Sequence, residues 1–211
     1  LIPLRWTREY YARATLQVAR ELLGQRLVRI WEGQRLAGRI VEVEAYLGIE
    51  DQASHARSGS QGRAGVMFGA PGHAYVYLIY GMHYCLNLVT ESDGQAAAVL
   101  IRALEPLEGL EQMARLRGGA AVRDLARGPG RLCAALGIDR SYNGQDLCVP
   151  EASLWVEAEP AWPEMDVAQG PRIGVRGDSS ALTAPWRFYL RYSRWVSGPA
   201  VKERDGEVSG A

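Results

Sequence analysis

Residues 39–48, RIVEVEAYLG, place two carboxylates two positions apart, Glu42 and Glu44, with Tyr46 two positions further on. A positioned carboxylate can take a proton from an attacking water. The period of two puts Glu42, Glu44 and Tyr46 on one strand face, and Val41, Val43 and Ala45 on the other. Two readings fit this pattern: a half-buried strand with a solvated charged face, or a carboxylate feeding a pocket. The strand runs on into the stretch that carries His55, so Glu44, Tyr46 and His55 can converge.

A second cluster is aromatic. Residues 74–85, AYVYLIYGMHYC, hold Tyr75, Tyr77, Tyr80 and Tyr84, from a total of 10 tyrosines. Buried phenols need hydrogen-bond partners, whereas exposed ones offer flat, polarisable faces of the kind on which a nucleobase stacks. Alternation places Tyr75, Tyr77 and Ile79 on one face, and Val76, Leu78 and Tyr80 on the other. Tyr80 comes just before Gly81-Met82, at the tip of a bend, where it can serve as a wedge. Tyr46 and Tyr77 can form two walls of a slot for one planar group; a purely structural aromatic cluster fits the same pattern.

Other chemistries find little support. Lys202 is the only lysine and lies in the polar run VKERDGEVSGA, which leaves a Schiff-base mechanism without a buried candidate. Cys85, Cys133 and Cys148 form no CxxC pair, and His55, His73 and His83 show no ligand-like spacing, so no metal site and no disulfide framework are expected. The formal net charge is zero, but charge is segregated. Residues 115–140 and 171–195 are rich in arginine, and residues 151–166 are acidic with no base. One basic face therefore remains compatible with a neutral total. No apolar run approaches the roughly 20 residues of a membrane span. The first residues lack a basic leader followed by an apolar stretch, so an intracellular setting is expected.

The elements that must hold these groups read as follows. Thr7 caps a helix with the stripe Tyr11, Thr15, Val18 and Leu22, ended by Gly24. Two strands flank Glu32-Gly33. Residues 49–73 form a long loop, of a length that inside a compact domain is usually functional or disordered. Three strands follow, turning at Gly81 and at Ser92-Asp93-Gly94. LEGLEQMARLR is helical, and GPGRLCAALGI is a short helix begun at Gly128-Pro129 and ended at Gly137. DLCVPEASLWVEA and WRFYLRYSRWVSG add strands on either side of an acidic, proline-rich link. The expectation is an α+β fold: a single domain over residues 1–211, with a curved, mostly antiparallel sheet flanked by helices, a protruding hairpin, and a flexible tail at 199–211.

The segments GRIVEVEAYLGIEDQASHARSG, YVYLIYGMHYCLN, VLIRALEPLEG and GPGRLC, in that order, resemble the alkyladenine (3-methyladenine) DNA glycosylase family of base-excision repair. The resemblance spans roughly residues 10 to 198. It implies a monofunctional enzyme that flips an alkylated or deaminated purine from duplex DNA and hydrolyses its N-glycosidic bond. It also implies no cofactor and no metal, double-stranded DNA with damaged purines as partner, a monomer, and a cytoplasmic (nucleoid) location in a bacterium. Glu44 would be the general base, and Arg102 would position the water together with the backbone carbonyl of Ile173. Tyr46, His55 and Tyr77 would enclose the base, the backbone at Ala53 and His55 would meet its edge, and Asn87 would disfavour the amine of guanine. Tyr80 and Met82 would enter the stack, and Arg131 would contact a phosphate. Two departures stand out: the neutral net charge, and His83 where an aromatic is expected. The alternative is a non-catalytic module for damaged nucleic acid; an RNA-binding module on the same aromatic sheet would not need Arg102 or the wedge.

Overall fold

The computed structural model describes residues 4–198. Two short helices, α1 (Arg8–Tyr11) and α2 (Thr15–Leu22), lead into strands β1 (Arg26–Trp31) and β2 (Gln34–Tyr46). After two 3-10 segments, His55–Ser58 and Gly62–Phe68, come β3 (Ala74–Ile79), β4 (His83–Thr90) and β5 (Ala97–Glu108). Helices α3 (Leu110–Leu116) and α4 (Pro129–Ala135) precede β6 (Leu154–Glu157), β7 (Val167–Gly170), α5 (Ser179–Thr183) and β8 (Arg187–Leu190). All strand pairs are antiparallel, in the order β3-β4-β5-β2-β1-β6, with β8 joining β2 to β7. The α+β expectation holds, and α3, α4 and the first five strands fall where the sequence placed them. β7 lies in the acidic, proline-rich link, where no strand was expected.

The single N-terminal helix expected from the apolar stripe is instead two. Its stripe is right, since Tyr11, Thr15, Val18 and Leu22 are all buried. The chain breaks at residues 12–14 because Glu91, at the end of β4, supplies a distant cap. Its Oε1 accepts from the Thr15 N–H at 2.7 Å and from the Thr15 hydroxyl at 2.8 Å. An orphan helix donor is thereby satisfied from another element. Thr7 does not cap α1 with its side chain; its hydroxyl donates to Glu9.

β2 is the axis of the site. It pairs with β5 along one edge, while its other edge pairs first with β1 and then, at Glu42, Val43 and Glu44, with β8. The β2–β5 register shifts on both sides of Glu42: Glu42 pairs with Ala103 but Val43 pairs with Ile101. Arg102 lies in that irregularity, and such bulges re-aim side chains. The charged face is not solvated, because Glu42 and Glu44 are both fully buried.

The main core draws residues from Trp6 to Trp195, with α2 and α4 packed on the sheet. A smaller core of Ala56, Met67, Tyr75, Val89, Ala96 and Ala98 lies beneath the 3-10 segments. The stretch at 49–73 therefore packs as a folded lid on the sheet, which fixes His55. β3 and β4 form the hairpin, turning on Tyr80 and Gly81 with φ of 50° and 69°. At its tip Tyr80 is 84% and Met82 69% exposed. The tail expected at 199–211 lies outside the described residues.

Candidate active site

A cavity of about 530 Å³ opens between the β2–β5 region, the hairpin and the loop after β7. Tyr46, Ala53, His55, Tyr77, Asn87, Arg102 and Ile173 all line it, and Tyr80 stands at its edge. Glu44 lies directly behind this lining. Its Oε1 accepts from the Ile173 N–H at 2.7 Å and sits 3.1 Å from Nη1 of Arg102. Its Oε2 accepts from the Tyr46 hydroxyl at 2.9 Å. Each of these three donors belongs to a residue that lines the cavity, so the carboxylate is one layer from it. The Ile173 group that reaches Glu44 is its N–H.

A second carboxylate holds this arrangement. Glu42 Oε1 accepts from Nε of Arg187 at 2.6 Å and from Nε of Arg102 at 3.2 Å, and its Oε2 accepts from the Ser197 N–H at 2.6 Å. Burial pushes the Glu42 carboxyl up, but Arg102, Ser197 and Arg187 more than offset that and leave it below the usual range. Burial alone would weaken the hold of Arg102 on its proton; Glu44 and Glu42 outweigh it and raise the pKa. Arg102 is thus a cation clamped between two buried anions. This state tolerates burial only because its charges are paired and hydrogen-bonded.

The aromatic walls are equally constrained. His55 Nδ1 lies 2.9 Å from the Tyr75 hydroxyl, and the His55 and Tyr77 rings meet edge-on, with centroids 4.6 Å apart. Burial, followed by the charge of Arg63, depresses the His55 pKa to about 4. Burial raises the Tyr75 hydroxyl to about 12 and pushes Tyr46 and Tyr77 well above their ordinary value. All four rings are therefore neutral at pH 7. Asn87 is buried and donates from Nδ2 to the Tyr75 carbonyl at 3.0 Å.

Some of the framework was missed by sequence reasoning. Arg172 sits between the rings of Tyr46 and Trp186, 4.7 and 4.9 Å from their centroids, and makes a two-pronged ion pair with Asp51 at 2.5 and 2.8 Å. Asp51 also accepts from the N–H groups of Leu47 and Ala53, so it ties the lid to the strand end. Arg131 is exposed at the start of α4 and pairs with Asp124 at 2.9 Å. The His83 ring packs on Gly130, where an added Cβ would lie 2.9 Å from the His83 Cβ, so hairpin and helix start are in contact. Among the described residues the arginines at the cavity itself are Arg57, Arg102 and Arg176, and no acidic residue lines it.

A sequence model of the family described as Methylpurine-DNA glycosylase (MPG) matches residues 9–194. A protein of Methanocella arvoryzae, named "Putative 3-methyladenine DNA glycosylase", is 53% identical over 191 residues, covering 90% of this chain and 94% of its own. Proteins of the same name from Alkaliphilus oremlandii and Desulfitobacterium hafniense are 44% and 48% identical, each covering 92% of this chain and 99% and 98% of their own.

Proposed function

This chain belongs to the methylpurine-DNA glycosylase family, and from that premise we propose that it removes alkylated or deaminated purines from duplex DNA by hydrolysis. The bases in question are 3-methyladenine, 7-methylguanine, hypoxanthine and ethenoadenine. The observation that carries the reading is Glu44, a buried carboxylate held at both oxygens by three residues that line an aromatic cavity. A module that only bound damaged bases would have no use for a buried anion there, whose desolvation is costly.

In this mechanism Tyr80 and Met82 fill the gap in the stack, and the purine turns into the cavity between Tyr46, His55 and Tyr77. The departure of the base draws the electron pair of the N-glycosidic bond onto nitrogen and builds oxocarbenium character on the sugar. Water adds to the anomeric carbon and gives its proton to Glu44. The same negative charge stabilises the cationic sugar. Arg102 and the Ile173 backbone orient the carboxylate. A cationic alkylated purine leaves as a neutral base. Hypoxanthine needs a donor at its edge as it leaves; the Ala53 N–H is already engaged by Asp51, so the His55 N–H is the backbone donor for that task.

Glu44→Gln tests the reading. The variant should hold a hypoxanthine duplex as the wild type does, while its single-turnover base release falls by about 10² to 10⁴-fold, the range typical of general base catalysis. Equal rates in the two proteins would remove Glu44 from the mechanism.

A further inference from the structure

Arg63 stands against two of the aromatic walls without lining the cavity itself. Its guanidinium carbon stands 5.8 Å over the Tyr77 ring, and its Nη2 lies 3.3 Å from Nε2 of His55. A guanidinium only donates, so Nε2 accepts. The His55 proton is then on Nδ1, directed at the Tyr75 hydroxyl. Arg63 is exposed and pairs with no carboxylate among the described residues, so its charge is not neutralised by a neighbouring anion.

The purines assigned to this pocket fall into two electrostatic classes. Some, such as 7-methylguanine, carry a formal positive charge; others, such as hypoxanthine, are neutral. Inside the cavity a cationic base meets no acidic side chain among the described lining residues, and Glu44 lies behind that lining, paired with Arg102. Its favourable partners are the π-faces of the tyrosines. Arg63 already draws on the Tyr77 ring, which lessens the negative potential left for a second cation, and it repels that cation directly. A neutral base incurs neither cost.

We propose that Arg63 is a specificity-determining residue, which disfavours cationic purines against neutral ones from outside the pocket. The inference rests on the glycosylase reading above.

The test is a competition in one reaction that holds a 7-methylguanine duplex and a hypoxanthine duplex, with both released bases measured at pH 8. The ratio of the two kcat/KM values does not depend on the fraction of active protein, and a lost phosphate contact cancels from it. Arg63→Gln should raise release of 7-methylguanine relative to hypoxanthine by about two- to fivefold, the scale of one exposed cation–π interaction. Arg63→Lys, which keeps the charge, should stay near the wild-type ratio. An unchanged ratio in Arg63→Gln, or an equal rise in Arg63→Lys, overturns the proposal while base release itself stands. A wild type that releases neither base overturns the glycosylase reading and this proposal with it.

Discussion

The Tyr46 hydroxyl donates to Oε2 of Glu44 at 2.9 Å, while the Tyr46 ring forms a wall of the cavity. One side chain thus serves both base stacking and carboxylate orientation, and substitution separates the two. Tyr46→Phe keeps the ring and removes the bond. A hydrogen bond to a charged group contributes about 1.5–3 kcal/mol, so base release should drop roughly 10- to 100-fold. Affinity for lesion-containing duplex should change by less than about threefold, since the stacking face remains. Single-turnover rates and a binding titration on the same duplex measure both. A loss confined to affinity would show that the hydroxyl has no part in holding Glu44.

Asp51 and Arg172 form the most buried ion pair of the lid, with both side chains fully inaccessible. Leaving one such charge unpaired costs about 3–5 kcal/mol. Asp51→Ala should therefore lower the urea midpoint sharply. It also releases the N–H groups of Leu47 and Ala53, so activity should fall even at temperatures where the variant is folded. Denaturation by urea and base release at 15 °C check the two effects. An unfolding free energy within about 0.5 kcal/mol of wild type, the range of ordinary surface changes, would contradict the assigned weight of this pair.

Both pairs bear on what the sequence could disclose. The facing of Glu44, Tyr46, Tyr75 and Tyr77 follows from local alternation, and the structure brings these residues to one place. The burial of Glu42 does not follow, because alternation says which residues share a face and not what covers that face. Its cover, Arg187 and Ser197, comes from 145 and 155 residues away. Arg172 meets Asp51 across 121 residues with no motif linking them. The arginine-rich run at 171–195 therefore read as a basic surface, although Arg172 and Arg187 are buried partners of acidic groups. The split of the first helix had a similar cause, a cap donated by Glu91 from the end of another strand.

Tyr80 combines high exposure with a left-handed backbone, φ 50°. A tyrosine held this way contributes little to the fold, and its conformation costs about 1–2 kcal/mol. Tyr80→Ala should leave the thermal midpoint nearly unchanged, and Tyr80→Gly should raise stability, since glycine adopts that backbone freely. Both variants should lose about tenfold or more in single-turnover release from duplex DNA, where the base must be extruded and the gap filled. On a single strand carrying the same lesion the loss should shrink. Equal losses on duplex and single strand would count against a wedge role.

His55 makes stability depend on pH in a definite direction. In the folded chain its pKa is near 4, held down first by burial and then by Arg63, whereas an unperturbed imidazole titrates near 6.5. Between these values the unfolded chain binds a proton that the folded chain refuses, so stability rises with pH across the window. The contribution is complete above pH 6.5 and declines as pH falls toward 4. The range from 6.5 to 5 is the informative one, because most carboxylates stay ionised there. The urea midpoint of the wild type should fall across that range. His55→Asn retains a donor for the Tyr75 hydroxyl but cannot titrate, so its midpoint should fall less steeply. His73 and His83 are common to both proteins and cancel from the comparison. Parallel slopes would mean that the folded and unfolded chains protonate His55 alike, and the imidazole would then not be the neutral wall on which the cavity depends.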